Sequence, residues 1–228
     1  MIKAVVFDFD GLIFDTETPE FKAFQEIYVE HGYQLDLKMW SLWLGTDSSK
    51  FNPYDYLDEC AGKPLNREEI SSLRRTKYER LIAGEQTRPG VEEYLKAAKE
   101  LGLKVGLASS SSREWVVDHL TKLNLIHYFD CIRVREDVRK VKPDPELYLQ
   151  VITEFGIEPY EAVAFEDSPN GSLAAKQAGL FCVAVPNEIT KQLSFCEVDS
   201  RLDSMSQVKL KALIEELASR EPSRIAKG

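Results

Sequence analysis

Histidine is scarce in this 228-residue chain, with three residues in all: His31, His119 and His127. None falls at an expected strand end, which leaves no imidazole for a Ser-His-Asp triad or a His-built zinc site. Cysteine is as thin. Cys60, Cys131, Cys182 and Cys196 lie far apart and form no C-x-x-C pair. They read as reduced packing residues, with a disulfide or zinc framework as the lesser alternative. No apolar run approaches the ~18 residues of a membrane span. The opening Met1-Ile2-Lys3-Ala4-Val5-Val6-Phe7-Asp8 meets an acid too early for a signal-peptide core, so a cytoplasmic protein is expected. Positive charge is in deficit: 29 Lys+Arg against 38 Asp+Glu leave a net charge of −9. General nucleic-acid binding, which needs a phosphate-neutralising basic face, is not expected. Repeats and low-complexity segments are missing too.

What is present suits a folded enzyme. Hydrophobic residues make up 43% and aromatics 10%, enough for a filled core. The length fits one domain, or a core with a smaller insertion. Lys3 to Asp8 is a short apolar, β-branched run ending in an acid, which suits a buried strand with function at its C-terminal end. From Thr18 to about Gly84 the spacing is helical. Phe21, Phe24, Ile27 and Tyr28 precede a stop at His31-Gly32. Trp40, Leu42, Trp43 and Leu44 cluster before Gly45. Tyr54, Leu57 and Cys60 mark a third helix, and Arg67 to Ala83 a fourth. Trp40, Trp43 and Tyr54 read as packing residues before pocket lining.

Thr87-Arg88-Pro89-Gly90 punctuates the chain, and strands then alternate with helices. Helices are expected at Val91–Leu101, Glu114–Leu123, Pro145–Phe155, Pro169–Ala178 and Gln207–Ala218. Strands are expected at Lys104–Ala108, Cys131–Val134, Ala162–Phe165 and Phe181–Val185. This alternation predicts an α/β fold whose parallel sheet is covered on both faces. Ligands in such sheets bind at the carboxyl ends of strands, here after Phe7, Ala108, Val134 and Phe165.

The residues at those ends share a theme. Asp8-Phe9-Asp10-Gly11 sets two carboxylates two apart before a glycine that lets the chain turn. The pair suits Mg²⁺ or a nucleophile with an acid/base, and a polar turn accounts for it equally. Ser109-Ser110-Ser111-Ser112 offers hydroxyls and N–H groups for an anion at a helix start, where a plain N-cap explains one serine. Lys142, held before Pro143 in Val141-Lys142-Pro143-Asp144-Pro145, can face an anion or lie solvated. Glu166-Asp167 is costly at a buried strand end without a cation, and Ser168-Pro169 reads as a helix cap. Together these ends hold a nucleophile, a metal site, a hydroxyl donor and a cation, the set that phosphoryl transfer needs.

With these four motifs in order, and Asp15-Thr16-Glu17 after the first, the whole chain resembles the haloacid-dehalogenase-like superfamily. Within it, the chain is similar to the β-phosphoglucomutase and phosphoglycolate-phosphatase branch. The resemblance implies a doubly wound, Rossmann-like α/β core of residues 1–16 and 88–228, with a helical cap of residues 17–87. It implies Asp8 as a nucleophile forming an aspartyl-phosphate, and Asp10 as general acid and then base. Mg²⁺ would be held by Asp8, the Asp10 carbonyl and Asp167, with Glu166 in or near the shell. Ser109, Ser110, Gly11 and Lys142 would meet the phosphoryl group. Asp15, Thr16, Glu17, Glu20 and Lys50 are the hinge and substrate candidates, with hinges near Asp15–Glu17 and Gln86–Gly90.

The partner expected is a small phosphorylated metabolite and the chain a monomer. A sugar phosphomutase is the alternative, and a non-catalytic phosphate-binding module the reading from another class. Mutase relatives carry a His where Glu20 stands and a basic element after a cap-loop Gly, where Gly45–Pro53 offers only Lys50. A carboxylate there would repel a second phosphate, which favours hydrolysis. Residues 63–88 are net basic and could guide an anion, although a solvated face with i,i+4 pairs is the plainer account.

Overall fold

The computed structural model describes residues 1–44 and 51–219. The strand β1 (Ala4–Phe7) comes first. Four helices follow: α1 (Glu17–Glu30), α2 (Leu37–Leu44), α3 (Pro53–Ala61) and α4 (Arg67–Ile82). Then come α5 (Val91–Glu100), β2 (Lys104–Ala108), α6 (Arg113–Lys122), β3 (Cys131–Arg133), α7 (Glu146–Phe155) and β4 (Ala162–Glu166). The chain closes through α8 (Pro169–Gln177), β5 (Phe181–Ala184), β6 (Ser200–Arg201) and α9 (Leu210–Ser219).

The six strands form one parallel sheet in the order β3-β2-β1-β4-β5-β6. The chain runs outward from β1 on one side, then returns to fill the other, so β1 and β4 flank the switch point. Phe7 is in register with Leu107 and Phe165. That levels the ends of the three central strands and puts Asp8, Ala108 and Glu166 side by side. The strands are apolar on both faces, as a sheet covered twice requires. Val5, Phe7, Val105, Leu107, Val163 and Phe165 pack towards α5 and α9. Ala4, Val6, Ala162 and Ala164 pack towards α7 and α8. Ser112 caps α6, and Ser168 caps α8 with Pro169 in its first turn, as the sequence suggested.

The four helices between β1 and α5 have their own core, with Phe21, Phe24, Ile27, Tyr28, Trp40 and Leu57 at its centre. Trp40 and Tyr54 belong to this cluster and not to the cavity described below. The charge pattern of α4 departs from the i,i+4 expectation. Its basic residues pair across to α1: Arg74 with Glu20 (2.7 Å), Lys77 with Glu26 and Glu30 (3.3 and 2.6 Å), and Arg80 with Glu26 (2.6 Å). The basic segment read from the sequence and the acids of α1 are two sides of one helix–helix seam. The insertion leaves and rejoins the core at one place. Phe14 and Thr87 form an antiparallel bridge, and Arg88 donates its N–H to the Ile13 carbonyl at 2.9 Å.

Two features escaped the sequence reading. β6 is too short to show alternation, and its pairing to β5 defines it. The last helix begins at Leu210 rather than Gln207, because residues 205–207 form a separate 3₁₀ turn. Lys50 and the loop from Gly45 to Lys50 lie outside the described residues.

Candidate active site

Asp8 follows β1 in the middle of the sheet and is buried. Its Oδ1 accepts a 2.6 Å hydrogen bond from Lys142 Nζ. The same ammonium donates to the Ala108 carbonyl (2.7 Å) and to Glu166 Oε1 (2.6 Å). Lys142 thus lies in the crevice between β1, β2 and β4, enclosed by the acids. Burial alone would lower its pKa, but the Asp8 and Glu166 carboxylates outweigh it and push it up. The solvated-lysine alternative is excluded: the Lys142 side chain is 6% exposed. Tyr148 from α7 donates a short hydrogen bond to Glu166 Oε1 and carries the Lys142 charge over its ring face.

Ligand oxygens of Asp8, Glu166 and Asp167 lie within 4.8 Å of one another. Burial raises the Asp8 carboxyl, with Lys142 opposing and Glu166 assisting. Burial, then the charges of Asp8 and Glu166, hold Asp167 well above the ordinary carboxylate range. Glu166 Oε2 is buried without a hydrogen-bond partner among the described residues. Three hard oxygen donors, one with an orphaned oxygen and the three sharing a single ammonium, fit a divalent cation of the Mg²⁺ or Ca²⁺ type.

Two glycines make room for these acids. A Cβ on Gly11, whose φ is +78°, would stand 2.2 Å from Asp167 Oδ2. A Cβ on Gly171 would lie 1.9 Å from Glu166 Oε2. Gly171→Ala is therefore expected to destabilise the protein by about 1–3 kcal/mol through overpacking. It should also weaken divalent-cation binding; urea unfolding and a melting shift on adding Mg²⁺ measure the two, and wild-type values in both would refute the close fit.

Asp10 turns towards the start of α6. Its Oδ2 accepts from Ser111 Oγ at 2.6 Å and lies 3.4 Å from Ser109 Oγ, and its Oδ1 accepts from Trp115 Nε1 at 2.9 Å. The serine run divides its tasks. Ser109 is buried and accepts from the Ser111 N–H, Ser110 lines the cavity, Ser111 holds Asp10, and Ser112 caps α6.

These groups open into a cavity of about 640 Å³. The core contributes Asp8, Asp10, Ser110, Ser111, Lys142 and Asp167 to its wall; the insertion contributes Glu17, Glu20, Arg74 and Tyr78. Thr16 lines it as well, whereas Asp15 faces a separate, smaller cleft and accepts the Thr18 N–H at 3.0 Å. Gly11 does not line the cavity; it packs beneath Asp167. Burial, then Asp10, Glu20 and Asp15, push the Glu17 carboxyl up to about 8. Glu20 corrects the sequence argument. Its two oxygens take Arg74 Nη1 at 2.7 and 2.9 Å, so a paired, near-neutral group faces the cavity where an uncompensated carboxylate was expected.

Asn187 was not foreseen. Its Nδ2 donates to Asp167 Oδ2 at 2.8 Å, while its Oδ1 accepts the N–H groups of Ile189 and Thr190 at 2.9 Å each. Arg88 was read as punctuation, as part of the hinge segment Gln86–Gly90 and as one of the basic residues of 63–88, not as a support for the site. Its guanidinium donates to the carbonyls of Gly11, Val185 and Pro186 at 2.6, 2.9 and 2.8 Å, tying three loops under the acids. The one signal for Asn187 was its place just past a strand end, in Val185-Pro186-Asn187.

Comparison with known proteins agrees with this architecture. YhcW of Bacillus subtilis, provisionally named a phosphatase, is 51% identical over 219 residues, covering 96% of this chain and 99% of that protein. Hexitol phosphatase B of Escherichia coli is 32% identical over 232 residues, covering 93% and 97%. The crystal structure of β-phosphoglucomutase from Clostridium difficile superposes with a TM-score of 0.68 at 25% identity, covering 96% and 98%. The family model for haloacid dehalogenase-like hydrolases matches residues 5–185, from β1 through the insertion to the end of β5. With that match spanning most of its length, this chain is a member of the haloacid dehalogenase-like hydrolases.

Proposed function

We propose that the chain is a Mg²⁺-dependent phosphatase that hydrolyses small sugar- and polyol-type phosphate monoesters. The observation that carries it is Asp8: a buried carboxylate just past the end of a central strand, bonded to Lys142, beside a metal-fitting pair of acids and open to a cavity. Asp8 attacks phosphorus and takes the phosphoryl group as an aspartyl-phosphate. Asp10 gives its proton to the leaving alkoxide, and then takes one from the water that hydrolyses the acyl phosphate. Lys142, Ser109 and Ser110 meet the phosphoryl oxygens. Asp8, Asp167, Glu166 and the Asp10 carbonyl would hold Mg²⁺, which supplies positive charge against the repulsion between an attacking carboxylate and a phosphate dianion.

Residues 17–87 serve as a cap over the core of 1–16 and 88–228. The Glu20–Arg74 pair supports a neutral, hydroxyl-rich leaving group: it presents hydrogen-bonding atoms but little net charge for a second phosphate. The name of the hexitol phosphatase relative is in keeping with that reading.

A Mg²⁺-supported screen of phosphorylated metabolites, reading released phosphate, tests the proposal. Monophosphates of sugars and polyols should turn over, and excess EDTA should abolish turnover until Mg²⁺ is restored. Full turnover in chelator would remove the metal, and no release from any ester would remove the activity. Efficient conversion of β-glucose 1-phosphate to glucose 6-phosphate with little free phosphate would make it a mutase.

A further inference from the structure

We infer that Trp115 is a positioning residue for proton transfer, holding the Asp10 carboxyl through its indole N–H. The inference rests on the phosphatase reading and adds a residue to it. Trp115 lies in the first turn of α6, and nothing in its sequence context marks it as more than a packing aromatic. Its Nε1 is 2.9 Å from Asp10 Oδ1. Among the described residues, that oxygen takes no other donor, whereas Oδ2 takes Ser111 and, at longer range, Ser109. A carboxyl oxygen accepts two hydrogen bonds. Oδ1 therefore keeps a site for the proton that Asp10 must deliver, while the indole fixes its direction.

The indole is itself held by two further rings. The His119 ring lies 3.9 Å from it, centroid to centroid, and His119 Nδ1 is 2.8 Å from the Trp115 carbonyl oxygen. From the inserted helices, Tyr78 stacks on it at 6.4 Å and 29°. Tyr78 and Trp115 also form a partition, lining the main cavity on one side and a second cavity of about 540 Å³ on the other. The N–H that orients Asp10 is thus carried on a ring whose place depends on α4 as well as α6.

The chemical step is balanced without any further reactant. The Asp8 carboxylate forms the new P–O bond and the ester P–O bond breaks. The proton on Asp10 passes to the alkoxide, leaving a carboxylate that Trp115 and Ser111 continue to donate to. A misaimed Asp10 matters only when the leaving oxygen needs that proton. An alkoxide does; the phenolate of p-nitrophenyl phosphate does not.

Trp115→Phe keeps a ring for His119 and Tyr78 and removes the donor. kcat/KM reports steps up to the first irreversible one, so it isolates the transfer to Asp8 from the later hydrolysis. On the fastest alkyl phosphate of the screen above, kcat/KM should fall about ten- to a hundredfold, the worth of one hydrogen bond to a charged group. On p-nitrophenyl phosphate it should change less than about threefold. In an Asp10→Asn background, Trp115→Phe should add nothing on the alkyl ester. Equal losses on both esters, or no loss on either, would overturn the inference. If Asp10→Asn itself shows no such selectivity, the general-acid assignment fails first, and the two failures are told apart. Should Trp115→Phe not fold, β-(3-benzothienyl)alanine at the same position keeps the bicyclic shape without the N–H, and the same two esters then decide the matter by the same criteria.

Discussion

Asp8→Asn is expected to lower kcat by at least about three orders of magnitude, because an amide does not attack phosphorus. The change is close to isosteric, and its oxygen can still accept from Lys142. The fold should survive. Asp8 is buried and raised by its surroundings, so losing one negative charge beside Glu166 and Asp167 removes a repulsion. The melting temperature without metal should hold or rise. Substrate should still bind in the cavity, which depends on groups left untouched. Steady-state kinetics with Mg²⁺ and a melting curve in chelator provide the check. More than about a tenth of wild-type kcat would show that another group is the nucleophile.

Lys142→Met should be almost as severe for catalysis and far more so for stability. One ammonium serves Asp8, the Ala108 carbonyl and Glu166. Breaking a buried ion pair from one side typically costs about 3–5 kcal/mol, since it strands the partner. The pH dependence has a definite sign. Burial already holds Asp8 up, to about 8, with Lys142 pulling the other way. Without the lysine that carboxyl goes higher still. A folded state that binds an extra proton loses stability as pH rises through the window between its unfolded and folded pKa values. The deficit against wild type should therefore stay level between roughly pH 5 and 7 and widen above about pH 8, where wild-type Asp8 ionises and the variant's carboxyl still holds its proton. Urea unfolding in chelator across that range measures it. A deficit that grows on acidification would contradict the account.

Most of the core was legible because β-strands on this sheet are buried on both faces and so appear as uninterrupted apolar runs. An acid at the end of such a run, as at Asp8 or Glu166-Asp167, is conspicuous for its cost. Lys142 was harder, since its local context suits a solvated residue as well as a buried one; register between β1, β2 and β4 decides it. Trp115, Asn187 and Tyr148 were illegible for a related reason. Each meets an acid far away in sequence, through a side chain that would pack anywhere. Glu20 was misread as an isolated charge because its counterion, Arg74, lies on another helix 54 positions on. The basic character of α4 was visible; that it faces α1 was not, since helical charge spacing does not specify a partner.

The Phe14–Thr87 bridge has a consequence for how such a protein is assembled and altered. The strand pairing closes behind the inserted helices like a hem, and Arg88 stitches the return point to loops that belong to the sheet. Everything from 17 to 86 is threaded through a gap one residue pair wide. A tight turn joining the bridged residues would leave the sheet and its strand-end acids complete. A different helical or mixed segment of any length could be sewn into the same opening. The inserted helices are therefore exchangeable at a single seam, while the strand-end acids stay with the sheet.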